Sequence, residues 1–256
     1  LQQKRYSVVT THESVIETAY KPYKIRNMGE KMNGILGTAV LTGVSSLVGY
    51  FIPELSYSFA CYKCRRKGYQ APLRSNIYRW NGLSLVFTTG VTGLSCFLLP
   101  FDQAIFTMLV SYIAAFGICV DRLIRIIANE MLWVILAAGL TYRIHSNGLP
   151  GLLGSAGALL LVIVVFGFTM MFTYARKGTA GIGMGDVKLA MIIAITVGFP
   201  GVFYFLTGMA CVIGFYCLAG MKCGFLVRDS TFPMCGHIMA GFLIALLWPY
   251  ISITIL

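Results

Sequence analysis

The chain has 256 residues, 57% of them hydrophobic. Only 11% are charged, where a soluble domain carries roughly 25%, so a soluble globular enzyme is excluded. The net charge of +11 would suit a nucleic-acid binder, but the basic residues sit in short segments between apolar runs, with no aromatic–basic stripe, and that class is excluded too.

Residues 1–33 form a polar, mixed-charge tail, with nothing in it that reads as a removable signal peptide. The chain opens on Leu1 rather than Met, as expected where the true N-terminus is missing or processed. Apolar runs then fall at 34–52, 81–99, 103–120, 130–144, 152–174, 187–199, 201–221 and 235–256, about eight predicted spans of roughly bilayer-crossing length. Lipid offers no partner for unpaired backbone groups, and no barrel alternation is visible, so the runs are predicted to be helices. The fold class is all-α, a polytopic transmembrane helix bundle. Residues 34–80 read as a first apolar segment plus a basic cytoplasmic loop over 53–80, and residues 81–256 as the main transmembrane domain.

Orientation follows the Lys and Arg bias. From residue 53 on, basic residues fall in CYKCRRKGYQAPLRSNIYR, DRLIR, YARKG, at Lys188 and around MKCGFLVR, alternating with nearly neutral connections at PFDQ, HSNGLPG and GFPG. This puts the basic segments on the cytoplasmic face, with Arg143 the one exception. The segment 34–52 has basic residues on both sides, so it is either re-entrant or interfacial, or it crosses and exports the tail.

The carboxylates are few. Asp121 ends the run FTMLVSYIAAFGICV, and Asp186 follows GIGMG, both at the predicted cytoplasmic boundary. An ionisable group beside a span is a functional hypothesis by default. Two carboxylates brought together do not both ionise easily, so one serves as general acid while the other activates water. Gly181, Gly183 and Gly185 let the backbone unwind or be approached closely. Lys188 is placed to stabilise negative charge or face phospholipid headgroups. The competing reading is a small-xxx-small packing motif, with Asp186 as a helix cap.

GMGDVKLA resembles the G-x-G-D signature of the prepilin peptidase family, the aspartyl proteases that cleave type IV prepilin and preflagellin leaders. DRLIRIIANEMLWVILAAGL is similar to that family's first motif, an Asp followed by Pro-Asn and a leucine-rich helix, and TFPMCGHIMAGFLIALL resembles its late segment. The resemblance covers about residues 80–256 and implies that 81–256 is the catalytic domain. It implies Asp121 and Asp186 as the catalytic pair, with Asn129, Gly183, Gly185 and Lys188 supporting them. The implied activity is a membrane aspartyl endopeptidase of the cytoplasmic (inner) membrane. It would cleave the basic leader from precursors with a long apolar helix, with membrane lipid as the other partner and no nucleic acid.

Ala128 stands where the family usually has Pro. Methylating members carry two CxxC pairs on zinc, whereas this chain has only Cys61 and Cys64, weak metal candidates. No cofactor and no methyltransferase activity are expected. Glu130 reads as a helix start, Asp229 as a partner of Arg228, His237 as structural, and Trp80, Trp133 and Trp248 as interface aromatics. Two rivals share the carboxylate pair. A presenilin-like protease lacks support from any Tyr-Asp or Pro-Ala-Leu motif, and a transporter would use Asp121 and Asp186 as a proton or cation relay.

Overall fold

The computed structural model describes residues 28–72, 74, 77–178, 182–224 and 233–255. Residues 1–39 form one unit, of which only the opening turns of the first helix are described, and residues 40–256 form a second. The regular structure among the described residues is helical: α1 (Met28–Arg66), α2 (Ile77–Leu98), α3 (Phe101–Ile124), α4 (Asn129–Asn147), α5 (Pro150–Lys177), α6 (Met184–Val197), α7 (Gly201–Lys222) and α8 (Cys235–Ile255). Five are long and apolar enough to cross a membrane: α1 over Leu36–Arg66, α2 over Trp80–Leu98, α3, α5 over Pro150–Arg176, and α7. Helix α8 contributes a shorter apolar stretch, Cys235–Ile251. The chain is a multi-pass membrane protein.

Helix α1 corrects the expected basic loop at 53–80. The chain stays helical through Pro53 as far as Arg66, and it does not turn back within 34–52. The reason is a buried stripe, Ile52, Ser56, Ala60 and Cys64, spaced four residues apart along one helix face. Beside it Phe59 meets Phe116 of α3 edge-on, with ring centroids 5.5 Å apart. Hydropathy misses this face because Pro53, Glu54 and the basic residues Lys63, Arg65 and Arg66 interrupt the apolar run. Further along, α1 packs on α2 through small polar residues. The Ser45 and Thr92 hydroxyls are 2.8 Å apart, as are those of Ser46 and Thr89. Close helix approach through such residues is how membrane helices associate without a hydrophobic driving force.

Helix α6 is the centre of the bundle. It packs against α4, α5, α7 and α8, and Leu189, Ala190, Ile193 and Ala194 on it are fully buried. It has 14 residues, short for a span, but its apolar surface faces protein on most sides. Its C-terminal end is held by Arg143 of α4, whose guanidinium donates to the Val197 carbonyl at 2.9 Å and to the Phe199 carbonyl at 3.4 Å. The one basic residue that broke the charge bias is thus a helix C-terminal cap, where a cation meets exposed carbonyls and the negative end of the dipole.

The α7–α8 pair is tightly apposed, and Gly241 makes that possible. A Cβ there would lie 2.9 Å from both the Phe205 carbonyl oxygen and the Met209 amide nitrogen, backbone atoms that cannot swing away. Gly241→Ala should therefore force α8 off α7 and cost about 1–3 kcal/mol, read as a lowered thermal midpoint of the detergent-solubilised protein. An unchanged midpoint would contradict this packing.

Candidate active site

The first carboxylate is placed by the way α3 ends. Arg125 adopts a left-handed conformation (φ 51°) and its N–H donates to the Asp121 carbonyl at 2.8 Å, stopping the helix one turn after Asp121. The chain then runs without regular structure to Ala128, the extended N-cap of α4 (φ −70°, ψ 126°). Asp121 itself is buried, with 7% of its surface exposed.

The second carboxylate stands in the first turn of α6, after the extended N-cap Gly183 (φ −69°, ψ 138°). Asp186 is half-buried and close enough to Asp121 for the charge on one to act on the other. The structure thus brings the two predicted carboxylates into one site.

The glycines work differently from the unwinding that the motif suggests. Gly185 lies inside helix α6, where a Cβ would come within 3.3 Å of the Ile127 Cβ. Its bare backbone lets the segment after α3 lie directly against the first turn of α6. Gly183 has a φ that any residue adopts, but a Cβ on it would stand 2.9 Å from the Asp186 Oδ2. Gly181 lies outside the described residues.

A third element completes the site. The backbone N–H of Cys235, the first residue of α8, donates to the Asp121 Oδ2 at 3.2 Å. The Cys235 side chain is fully buried, and both Asp charges act on it. His237, two residues further into the same turn, is also buried. It is 3.1 Å from the Pro233 carbonyl through Nδ1 and sits edge-on to Tyr216 at 4.7 Å. It and Arg125 both lie near Asp121. Arg122, beside Asp121 in sequence, stacks 4.4 Å over Trp80 and braces α3 against α2.

The remaining predicted residues lie around this centre. Asn129 and Lys188, both exposed, line an apolar groove of about 400 Å³ with Leu132, Trp133, Met191 and Ile195. Glu130 begins α4, as expected, and is ion-paired with Lys63 of α1. Cys61 and Cys64 sit one turn apart on α1, Cys64 buried in the stripe described above. Among the described residues no three His, Cys, Asp or Glu side chains come together to hold a metal ion. Asp229 and Arg228 lie outside the described residues.

The structure thus presents a multi-pass helix bundle with two carboxylates at neighbouring helix ends. Residues 108–218, from mid-α3 to near the end of α7, match the model of the type IV leader peptidase family, and this segment holds both Asp121 and Asp186. Members of that family act on prepilin-type precursors. No curated protein and no solved structure matches the chain.

Ala128 occupies the family's proline position with a φ of −70°, within the range a pyrrolidine ring imposes. Ala128→Pro should therefore preserve function and raise stability by about 0.4–1 kcal/mol by restricting the unfolded chain. A fall in the thermal midpoint of the detergent-solubilised variant would show that the loop is not preformed for proline.

Proposed function

We propose that the chain is an aspartic-type endopeptidase that removes the basic leader of prepilin-like precursors, pseudopilins and preflagellins included, at the cytoplasmic face of the cell membrane. The observation that carries the reading is that the segment following Asp121 packs against the first turn of α6 that bears Asp186, Ile127 against Gly185, although the two Asp are 65 positions apart in sequence. One carboxylate takes a proton from water as the water oxygen bonds to the scissile carbonyl carbon, and the other gives its proton to the carbonyl oxygen. On collapse the C–N bond breaks. The leaving nitrogen takes up the proton first drawn from water, and the second carboxylate recovers its own from the hydroxyl it protonated. The site ends as it began, with neither a covalent intermediate nor a consumed cofactor.

The groove beside α6 supports the substrate class. It is walled by apolar side chains from α4, α5 and α6, and it carries Asn129 and Lys188 near the carboxylate-bearing turn. An apolar substrate helix in the bilayer can lie along such a groove while its polar leader junction reaches the site, where water is at hand. The cytoplasmic assignment follows from the basic residues of the helix connections.

Asp121→Asn and Asp186→Asn should each lower cleavage of a prepilin-type precursor by on the order of 10²–10⁴-fold, with expression and thermal midpoint retained. Full cleavage by either variant would sink the pair, and loss of proton-coupled transport in place of cleavage would favour a relay. Gly183→Ala gives a finer test. Its methyl group displaces the Asp186 Oδ2, so cleavage should fall by at least about 10-fold while stability changes little, since only a side-chain end must move.

A further inference from the structure

The two carboxylates are not equivalent. Cys235 is the N1 residue of α8: its neighbour Met234 supplies the carbonyl that accepts from the N–H groups of His237 and Ile238, both at 3.1 Å. An N1 amide has no partner within its own helix, and here it is aimed at the Asp121 Oδ2. The positive end of the α8 dipole points the same way. Asp121, itself buried, also lies near Arg125, after α3, and His237, on α8. Asp186 stands in the first turn of α6, at the positive end of that helix, and faces the Asp121 charge with the Gly183 backbone of its own N-cap beside it. A hydrogen-bond donor and nearby cations favour a carboxylate's ionised form, and a facing carboxylate favours the protonated form.

We infer that the Cys235 backbone amide is a positioning group that makes Asp121 the general base and leaves the shared proton on Asp186, the general acid. This rests on the proposed peptidase reading and divides the labour within it. Asp121 takes the proton from water, and Asp186 gives its proton to the scissile carbonyl oxygen. The thiol takes no part, so only the N–H of residue 235 matters to the assignment.

The test separates the amide from the side chain. Cys235→Ala keeps the N–H and removes the thiol. Cys235→Pro removes the N–H at a helix position where proline is well tolerated. The readout is the pH profile of kcat/KM for leader cleavage, whose acid limb reports protonation of the base in the free enzyme. Cys235→Ala should keep the wild-type limb, while Cys235→Pro should move it to higher pH by about one unit, the size expected for one charge-assisted hydrogen bond. Superimposable acid limbs for the two variants would overturn the assignment.

Infrared spectroscopy of the resting enzyme reads the same assignment without a folded proline variant. The C=O stretch of a protonated carboxyl at neutral pH should be present in the wild type and lost in Asp186→Asn; its persistence in that variant would place the proton on Asp121 and refute the inference. Should the wild type cleave no precursor at all, the peptidase reading itself fails. A wild type that cleaves, with both Asp→Asn variants inactive, leaves that reading intact whatever the limbs show.

Discussion

Where the chain leaves α3 it must lie flat against the first turn of α6, and the contact between Ile127 and the bare backbone of Gly185 sets how closely it can. Asp121 sits one turn before that segment and Asp186 one residue beyond that glycine, so the spacing of the carboxylates is tied to a packing distance rather than to side-chain rotamers. A left-handed Arg125 is the local cost of this arrangement, since a non-glycine residue held there is strained. Its backbone N–H is used in the turn, and its charge remains within reach of Asp121.

The rest of the bundle supports that junction. Helix α6 is braced along its length by four neighbours, and Arg143 secures its far end by bonding the carbonyls there. Helix α8 is pinned to α7 at Gly241, which fixes where its first residues, Cys235 and His237, meet Asp121. Helix α1 reaches the same neighbourhood through Lys63 and its pair with Glu130 at the start of α4. An exposed ion pair of this kind contributes at most about 1 kcal/mol, so the buried stripe from Ile52 to Cys64 does more to hold α1 in place.

Much of this was legible in the sequence, for identifiable reasons. Hydropathy reports spans because lipid demands helices, and Asp121 and Asp186 stand out because charges are rare beside apolar runs. Three features were not legible. The helix through residues 53–66 is masked in the sequence by Pro53, Glu54 and the basic residues Lys63, Arg65 and Arg66. Arg143 reads as a charge on the wrong side until the α6 carbonyls are seen around it. The Cys235 amide lies 114 residues from Asp121 and acts through its backbone, which no side-chain motif encodes; the only trace is the proline-containing turn in TFPMCGHIM, where a helix N-terminus is expected. The glycines of GMGD were read for backbone freedom, whereas their measurable effect is room for Ile127 and for the Asp186 carboxylate.

The claim on which the account stands is that two interacting carboxylates, one ionised and one protonated, carry out the cleavage. The purified chain, reconstituted in phospholipid vesicles with a prepilin-type precursor, tests it through the rate of leader release as a function of pH. A coupled pair predicts a bell-shaped profile with two limbs, one for protonation of the base and one for loss of the acid's proton. A rate that stays flat across the carboxylate range, or shows a single limb, would contradict it.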